Sequence, residues 1–352
     1  MASEDPNDAL PPGEADAAAM FAEQFRAPAE ERMGLRAGLG SEDFQALAAY
    51  SLHVCESGSK EEIRYALELL DLIPIPADRT GVREHAVRVL PGLCRLDQDT
   101  DILAAALPIY GRYMPDPPAV RTLRAMVGHP LPQVRAGAVE GLEYFADEGS
   151  SPSATLELVE WLVRALIEDP DAQVRRTAVR AFIGLEGWWG YEPGRFPELI
   201  PLVVTALGRA VRDDPDQRVR GEAAERLACL SDLEERHWPL VDAALRPYTE
   251  DGNVRVAGHS LARLASLGDP GALERLWTTL AAPDVHRLYL SAAKRALTSC
   301  PHPSAESLRR LREALRRLRE LGWRDDASGD VPRLSPEEHA YYLDLLLDGL
   351  PG

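Results

Sequence analysis

The chain has 352 residues and a formal net charge of −18, and aromatic residues make up 6% of it. Because phosphate backbones are bound by clustered lysine and arginine side chains, this acidic balance argues against a nucleic-acid-binding protein. Scarce aromatic and abundant small aliphatic residues argue against a β-rich fold. No apolar run in the sequence approaches the roughly eighteen residues that cross a bilayer, so we expect no membrane partner.

The N-terminal residues 1–13 are rich in acidic residues and proline, which predicts a disordered tail without the apolar core of a secretory signal. The four cysteines, Cys55, Cys94, Cys229 and Cys300, stand far apart and form no C-x-x-C pair. Such cysteines are typical of buried thiols in a reducing compartment. We therefore expect a cytoplasmic protein.

Helical patterns follow one another along most of the chain, and nothing alternates with the period of a strand between hairpin turns. The patterns group into pairs, of which the first is expected to be an atypical cap. The predicted pairs are 14–26 with 27–39, 42–57 with 60–72, 81–94 with 99–113, 117–128 with 132–144, 153–167 with 172–185, 196–212 with 217–230, 233–246 with 254–267, and 271–280 with 285–299.

A motif recurs at the start of the second helix in several pairs. Asp-Pro-Asp-x-x-Val-Arg occurs at residues 169–175 and again at 214–220, and weaker copies surround Val134, Val254 and Leu288. Proline cannot continue a helix, and the aspartate after it can cap the free amides of the next one. The apolar positions that follow at intervals of four then form a stripe that packs against neighbouring helices.

These residues resemble the HEAT repeat family in its short bacterial form, clearly over residues 130–297 and more faintly over 41–93. The resemblance implies an all-α fold, a right-handed α-solenoid of about eight antiparallel helix pairs. It also implies that charged residues of the motif form a hydrogen-bonded ladder between successive units. The residues at those positions are Asp171, Arg175, Asp216, Arg220, Arg135 and Arg255.

The solenoid is predicted to extend over residues 14–324, followed by a linker at 325–334 and a C-terminal capping helix at 335–352. Residues 304–321 form a basic amphipathic pattern. Their Glu–Arg pairs four residues apart favour a solvated, self-neutralising face over a membrane or partner surface. The final helix, which opens with a capping box at Ser335, either caps the last repeat or docks on a partner.

No catalytic motif stands out in the sequence, which contains no H-E-x-x-H, G-x-S-x-G or Walker sequence. Cys300 and His302 are two candidate zinc ligands, but no third ligand lies at motif spacing. We therefore expect no metal, no cofactor and no enzyme activity.

One segment departs from the repeat. Residues 186–196 are rich in glycine and aromatic residues where a short turn is expected, and they include Trp188, Trp189, Tyr191 and Arg195. Tryptophan, tyrosine and arginine are the side chains that most often dominate binding energy. The segment either binds a partner or folds back over a gap between units, and the sequence leaves both interpretations open.

Together these features favour a non-catalytic scaffold or adaptor that binds another protein through a concave acidic surface and the aromatic loop. The negative charge fits a basic partner, and it is explained equally well by solubility. The alternative is an enzyme of the helical-repeat class, similar to alkyl-base DNA glycosylases or to bilin lyases. A glycosylase needs a basic cleft, against which the charge balance argues, so we expect no nucleic-acid partner.

Overall fold

The computed structural model describes residues 14–26, 40–73, 80–114, 117–144, 152–189, 199–230, 235–280 and 305–321, together with 340–341, 344 and 347–348. The chain divides into two compact units, Met1–Leu185 and Glu186–Gly352, and each unit is described by itself. In this described part of the chain, every regular element is a helix.

Unit 1 is built from helices whose starts follow the local sequence signals. Its helices are α1 (Glu14–Arg26), α2 (Ser41–Ser57), α3 (Lys60–Leu72), α4 (Thr80–Leu93), α5 (Thr100–Tyr113), α6 (Pro117–Met126), α7 (Pro132–Glu143), α8 (Pro152–Glu168) and most of α9 (Ala172–Trp189). At the start of α3, the Ser59 hydroxyl accepts from the Glu62 amide and the Glu62 carboxylate accepts from the Ser59 amide, at 3.4 and 2.8 Å. This reciprocal capping box satisfies two amides that the first turn leaves unpaired.

The helices of unit 1 pack in consecutive pairs that stack in two layers. Helix α2 packs on α3, α4 on α5, and α6 on α7. The second helices α3, α5 and α7 also pack on one another in that order, and α2 packs on α4. The first layer thus repeats the first helix of each pair and the second layer repeats the second helix, as in a helical-repeat protein.

Helix α1 covers the N-terminal end of this stack with aromatic side chains. The Phe21 ring lies edge-on to Tyr50 and to Tyr65, with centroids 5.4 and 5.3 Å apart. Phe21 and Tyr65 are buried. A terminal repeat needs such a cover because it has a neighbour on one side only.

Helices α5 and α7 touch through their backbones. A Cβ atom placed on Gly141 would lie 2.6 Å from the carbonyl oxygen of Leu107 and 2.8 Å from a methyl group of Leu123. Gly137 faces the carbonyl of Ala104 in the same way. Glycine is therefore required on α7 because any side chain at Gly141 would push the two helices apart.

Unit 2 repeats the paired arrangement. Its helices are the end of α9, then α10 (Leu199–Asp213), α11 (Gln217–Cys229), α12 (Trp238–Leu245), α13 (Val254–Ser266), α14 (Pro270–Leu280) and α15 (Ala305–Leu321). Helix α10 packs on α11 and α12 on α13, while α10 contacts α12 and α11 contacts α13 across the pairs. Helix α14 packs on α13, and α15 on α14 with Leu315 buried.

The exposed face of α15 neutralises itself. The Arg309 guanidinium contacts Glu306 at 2.7 Å and Glu313 at 2.8 Å, and Arg310 contacts Glu306 at 2.9 Å. These pairs span three or four residues of one helix, as the sequence pattern predicts.

The predicted all-α helical-repeat fold is confirmed for the described residues. The handedness and the number of pairs stay predictions, as do the domain boundaries. The predicted helices 27–39 and 285–299, the tail 1–13 and the linker 325–334 lie outside the described residues, as does most of the predicted capping helix 335–352.

Two helices differ from their predicted bounds in ways that matter for the site. The predicted helix 233–246 is shorter in the structure, because α12 spans Trp238–Leu245 and single 3₁₀ turns flank it at Glu235–His237 and Arg246–Tyr248. Pro239 and Pro247 stand at the starts of α12 and of the second turn, where they remove amides that a continuous helix would need. Helix α9 continues to Trp189, past its predicted end at residue 185.

The close approach of α5 and α7 leads to a stability prediction. Gly141→Ala should lower the free energy of unfolding by about 1–3 kcal/mol because its methyl group overlaps the Leu107 carbonyl oxygen. The matched control is Gly92→Ala in α4, where no atom lies within 4 Å of the added methyl. That change should be neutral or stabilise by up to about 1 kcal/mol. Chemical denaturation measures both, and equal effects would contradict the backbone contact.

Candidate functional site

The best-defined polar site in unit 1 joins the start of α7 to the turn before α9. The Arg135 guanidinium binds the Asp169 carboxylate with both of its parallel donors, Nε to Oδ2 and Nη2 to Oδ1, each at 2.8 Å. Its third nitrogen, Nη1, donates to the carbonyls of His129 and Pro130 at 3.0 and 3.1 Å. Both charged side chains are nearly buried, with 12% and 9% of their surface exposed. The hydrogen bond from Arg135 therefore forms in a poorly solvated position, where it is strong and raises the pKa of the guanidinium.

Unit 2 contains a similar connection to the following turn, with a different backbone contact. Arg220 on α11 donates through Nη2 to the Asp251 carboxylate in the turn before α13, and through Nε to the Val211 carbonyl at 2.8 Å. Asn253 adds a second connection because its amide group donates to the Gln217 carbonyl at 2.7 Å. Each link joins the start of one motif helix to the turn that precedes the next.

Arg175 donates hydrogen bonds to the carbonyls of the turn before its own helix, as Arg135 does. Its Nη1 donates to the carbonyls of Asp169 and Pro170 at 3.0 and 3.1 Å, which is the register of Arg135 on His129 and Pro130. The guanidinium therefore binds two backbone carbonyls of the Asp-Pro turn and helps to hold the turn in place.

The two aspartates of the motif have different tasks, which corrects the sequence assignment. The Asp171 carboxylate accepts from the amides of Gln173 and Val174 at 2.8 and 3.4 Å and so caps α9. Asp216 caps α11 in the same way, accepting from Arg218 and Val219 at 2.8 and 3.1 Å. The first carboxylate of the motif, Asp169, receives the arginine.

Asp169 and Asp251 are the ladder acceptors that sequence reasoning missed. Asp169 Oδ1 also accepts from the Asp171 amide at 2.9 Å, and Asp251 Oδ1 from the Asn253 amide at 2.8 Å. The carboxylate that binds the arginine of the preceding repeat thus also accepts a hydrogen bond within its own turn. The signal was present in the motif, because an acidic residue stands two positions before the cap in each case.

Arg255, the last arginine of the predicted ladder, binds elsewhere. Its Nη2 donates to Glu225 on α11 at 2.9 Å, and its side chain lies across Gly221. This pair is more exposed than the Arg135 pair, with 28% and 36% of the two side chains accessible. Arg255 therefore connects α13 back to the preceding motif helix and not to a later turn.

The predicted partner-binding residues fall at the end of α9. Trp188 and Trp189 form its last turn, so the helix includes both tryptophans. Their side chains lie outside the described part of the structure, as do Tyr191 and Arg195. Helix α9 has 18 residues, whereas the motif helices α7, α11 and α13 have 12, 13 and 13.

Two carboxyl groups of unit 1, those of Glu140 and Asp71, have raised pKa values. Burial raises the pKa of Glu140 on α7, and the nearby Asp71 charge raises it further against the attraction of Arg180. Burial likewise raises the pKa of Asp71, which Arg112 opposes. The Arg112 guanidinium is engaged with backbone carbonyls at the end of α3, including that of Ile73 at 2.9 Å.

No metal centre is found among the described residues, which hold no group of three or more His, Cys, Asp or Glu side chains able to bind one ion. Cys300 and His302 lie outside them. None of the described helices is both long and apolar enough to cross a bilayer.

The comparison with protein families agrees with the motif. Residues 120–228 match the family model described as HEAT repeats, which confirms the resemblance over this segment. No curated protein sequence matches the chain.

Solved structures share the fold. YibA from E. coli superposes with a TM-score of 0.51 at 16% identity, covering 95% of this chain and 97% of YibA. Kap121p bound to Pho4p superposes with a TM-score of 0.52 at 13% identity, covering 94% of this chain and 39% of Kap121p. At such identities the likeness concerns the fold alone, and this chain spans about two fifths of Kap121p.

The different roles of Asp169, which binds Arg135, and Asp171, which caps α9, lead to a prediction. Asp169→Asn should lower the free energy of unfolding by about 3 kcal/mol because it removes the charge that compensates a nearly buried guanidinium. Asp171→Asn, two residues away, should change it by less than about 0.5 kcal/mol because asparagine caps helices as well as aspartate does. Denaturant unfolding of both variants checks this, and the reverse order would return the ladder role to Asp171.

The position of Glu140 leads to a pH prediction. Because its pKa is higher in the folded state than in the unfolded one, the ionised carboxylate destabilises the fold once the pH rises through the folded-state pKa. Glu140→Gln should therefore raise the Tm at pH 7. The gain should disappear below about pH 4, where the wild-type carboxyl is protonated in both states.

Glu306→Gln is the control for this prediction. Hydrogen bonds from Arg309 and Arg310 lower the pKa of Glu306 to about 2, so its ionised form is favoured in the folded state. Glu306→Gln should therefore leave the Tm at pH 7 unchanged or lower it. Thermal unfolding across the pH range compares the variants, and a lower Tm for Glu140→Gln at pH 7 would refute the assignment.

Proposed function

We propose that this protein is a non-catalytic scaffold or adaptor that binds another protein. The observation that carries the proposal is the repeated arginine–aspartate connection, whose two arginines lie in the segment that matches HEAT repeats. The charged residues of the motif bind one another and the backbone of the turns. They therefore serve to hold successive repeats together. The surfaces between the turns are then available for a partner.

The partner that we propose is a basic protein. The chain carries a net charge of −18, and complementary potentials speed association and reject wrongly charged partners. Asp71 and Glu140 support this choice, because a cationic side chain from a partner would relieve the cost of ionising two partly desolvated carboxyl groups. In this proposal a concave acidic surface of the second-layer helices receives the partner.

The aromatic segment at the end of α9 is the proposed anchor. Aligned on the motif valines, α9 ends fifteen residues after Val174, whereas α7 ends nine residues after Val134 and α11 ten residues after Val219. An extension of five or six residues adds about 8 Å of helix. It contains Trp188 and Trp189, and we propose that these act with Tyr191 and Arg195.

Two further observations support a binding role in the cell interior. Kap121p, whose fold this chain shares, has been solved bound to Pho4p. Cys55 and Cys94 are free and buried, and burial raises the pKa of the Cys55 thiol to about 12, which keeps it protonated and unreactive. Unpaired buried thiols are usual in a reducing compartment, and we propose the cytoplasm.

The test is affinity capture from the native host with the full chain as bait. Trp188→Ala with Trp189→Ala should reduce the recovery of the bound protein by at least about tenfold, because truncating an aromatic anchor removes much of the binding energy. Recovery should also fall as salt is raised, because exposed charges are then screened. Quantitative mass spectrometry of the eluates measures both.

Trp161→Ala is the matched control. Trp161 is a partly exposed tryptophan on α8 that stacks with Arg164, whose guanidinium carbon lies 4.7 Å from the ring centre. This variant should retain the partner. If the Trp188/Trp189 variant recovers as much partner as wild type, the proposed aromatic anchor is wrong. If DNA co-purifies in a salt-sensitive way in place of a protein, the scaffold proposal is wrong.

A further inference from the structure

Helix α12 buries fewer of its residues than the neighbouring helices α11 and α13. It has 8 residues, of which only Val241 and Leu245 are buried, whereas seven of the 13 residues of α11 and ten of the 13 residues of α13 are buried. Single 3₁₀ turns at both ends interrupt the regular hydrogen-bond pattern. Leu240 leaves 38% of its surface exposed on this helix. Little apolar area therefore opposes its detachment.

The polar contact of α12 with α13 is an ion pair that is not closed. The Arg263 side chain on α13 has only 4% of its surface exposed, and its Nε lies 3.6 Å from Asp242 Oδ1, beyond hydrogen-bond length. Its guanidinium carbon lies 5.5 Å from the centre of the Trp238 ring. Arg263 therefore contacts α12 at two points four residues apart.

The geometry of Arg263 differs from that of Arg135. Arg135 uses Nε and Nη2 to hold Asp169 at 2.8 Å on both sides. In Arg263 the same two nitrogens have no hydrogen-bond partner among the described residues, and neither does Asp242 Oδ1. Buried charges repay their desolvation only when such bonds are formed.

Burial is the largest influence on the ionisation of both charged groups. Burial raises the pKa of Asp242 more than the attraction of Arg263 and Arg246 lowers it, and burial also lowers the pKa of Arg263. Arg246 is itself bound to Asp269 at 2.6 Å. The contact between α12 and α13 is thus a costly one.

We infer that α12 is a displaceable strap, a short helix that leaves α13 by local opening while the other helices of unit 2 stay folded. The remaining helices have their own connections, because Arg220 binds Asp251 and Asn253 binds Gln217 without any residue of α12. Opening would uncover the Arg263 guanidinium, a buried cation in a chain whose net charge is negative. Unit 2 would then have two states, which differ in whether the Arg263 guanidinium is exposed to solvent.

Hydrogen exchange of the full chain, followed by mass spectrometry, tests the inference. Peptides within residues 238–246 should exchange at least about a hundredfold faster than peptides of α11 and α13, because local opening requires less free energy than unfolding of the unit. Exchange of α12 at the same rate as α13 would overturn the strap.

A pair of variants tests the cause. Asp242→Leu with Arg263→Met replaces the open ion pair by apolar contacts and should slow the exchange of α12 about tenfold. Asp242→Ala alone should accelerate it, because an unpaired guanidinium is then buried. The matched control is Glu250→Leu with Arg275→Met, which removes an exposed ion pair beside α14 and should leave α12 unchanged. An unchanged or faster exchange in the first variant would overturn the role of the pair.

Discussion

The contact between Arg135 and Asp169 sets the spacing on which its part of the structure depends. A guanidinium is planar and presents parallel donors, so it can bind the backbone of its own turn and the carboxylate of the following turn at once. In unit 2 Arg220 likewise binds the carboxylate of the following turn, Asp251, and its backbone contact is with Val211 on α10. Because the contact lies at the starts of α7 and α11, it defines the level at which each of these helices stands beside the next motif helix.

The packing along those helices is consistent with that register. Gly137 and Gly141 let α7 approach the backbone of α5, and Gly221 accommodates the side chain of Arg255. Small residues are needed where helices are held this close, since any added methyl group meets a carbonyl oxygen or a neighbouring side chain. Stability in a helical-repeat protein comes from such contacts between neighbouring repeats, and each contact constrains only the adjacent repeat.

Arginine–aspartate pairs therefore have two different geometries in this protein. The Arg135 pair is bidentate, nearly buried and closed at 2.8 Å, which makes it a rigid connection. The Arg263 pair is buried but open at 3.6 Å, and it holds a helix with few buried side chains. The difference between the two pairs is geometric, because a buried charge stabilises a fold only where its donors meet acceptors. A scaffold with both kinds of contact combines fixed repeats with a segment able to move.

The sequence by itself determined the helices and the motif, because proline, capping aspartates and apolar residues four apart act through neighbours in the chain. It did not distinguish Asp169 from Asp171, since both carry the same carboxylate and only one lies opposite an arginine 34 residues earlier. The sequence also did not predict the contact at Gly141, the short α12 or the continuation of α9 through Trp189. These features depend on distances between residues far apart in the chain, and only the packed tertiary structure decides those distances.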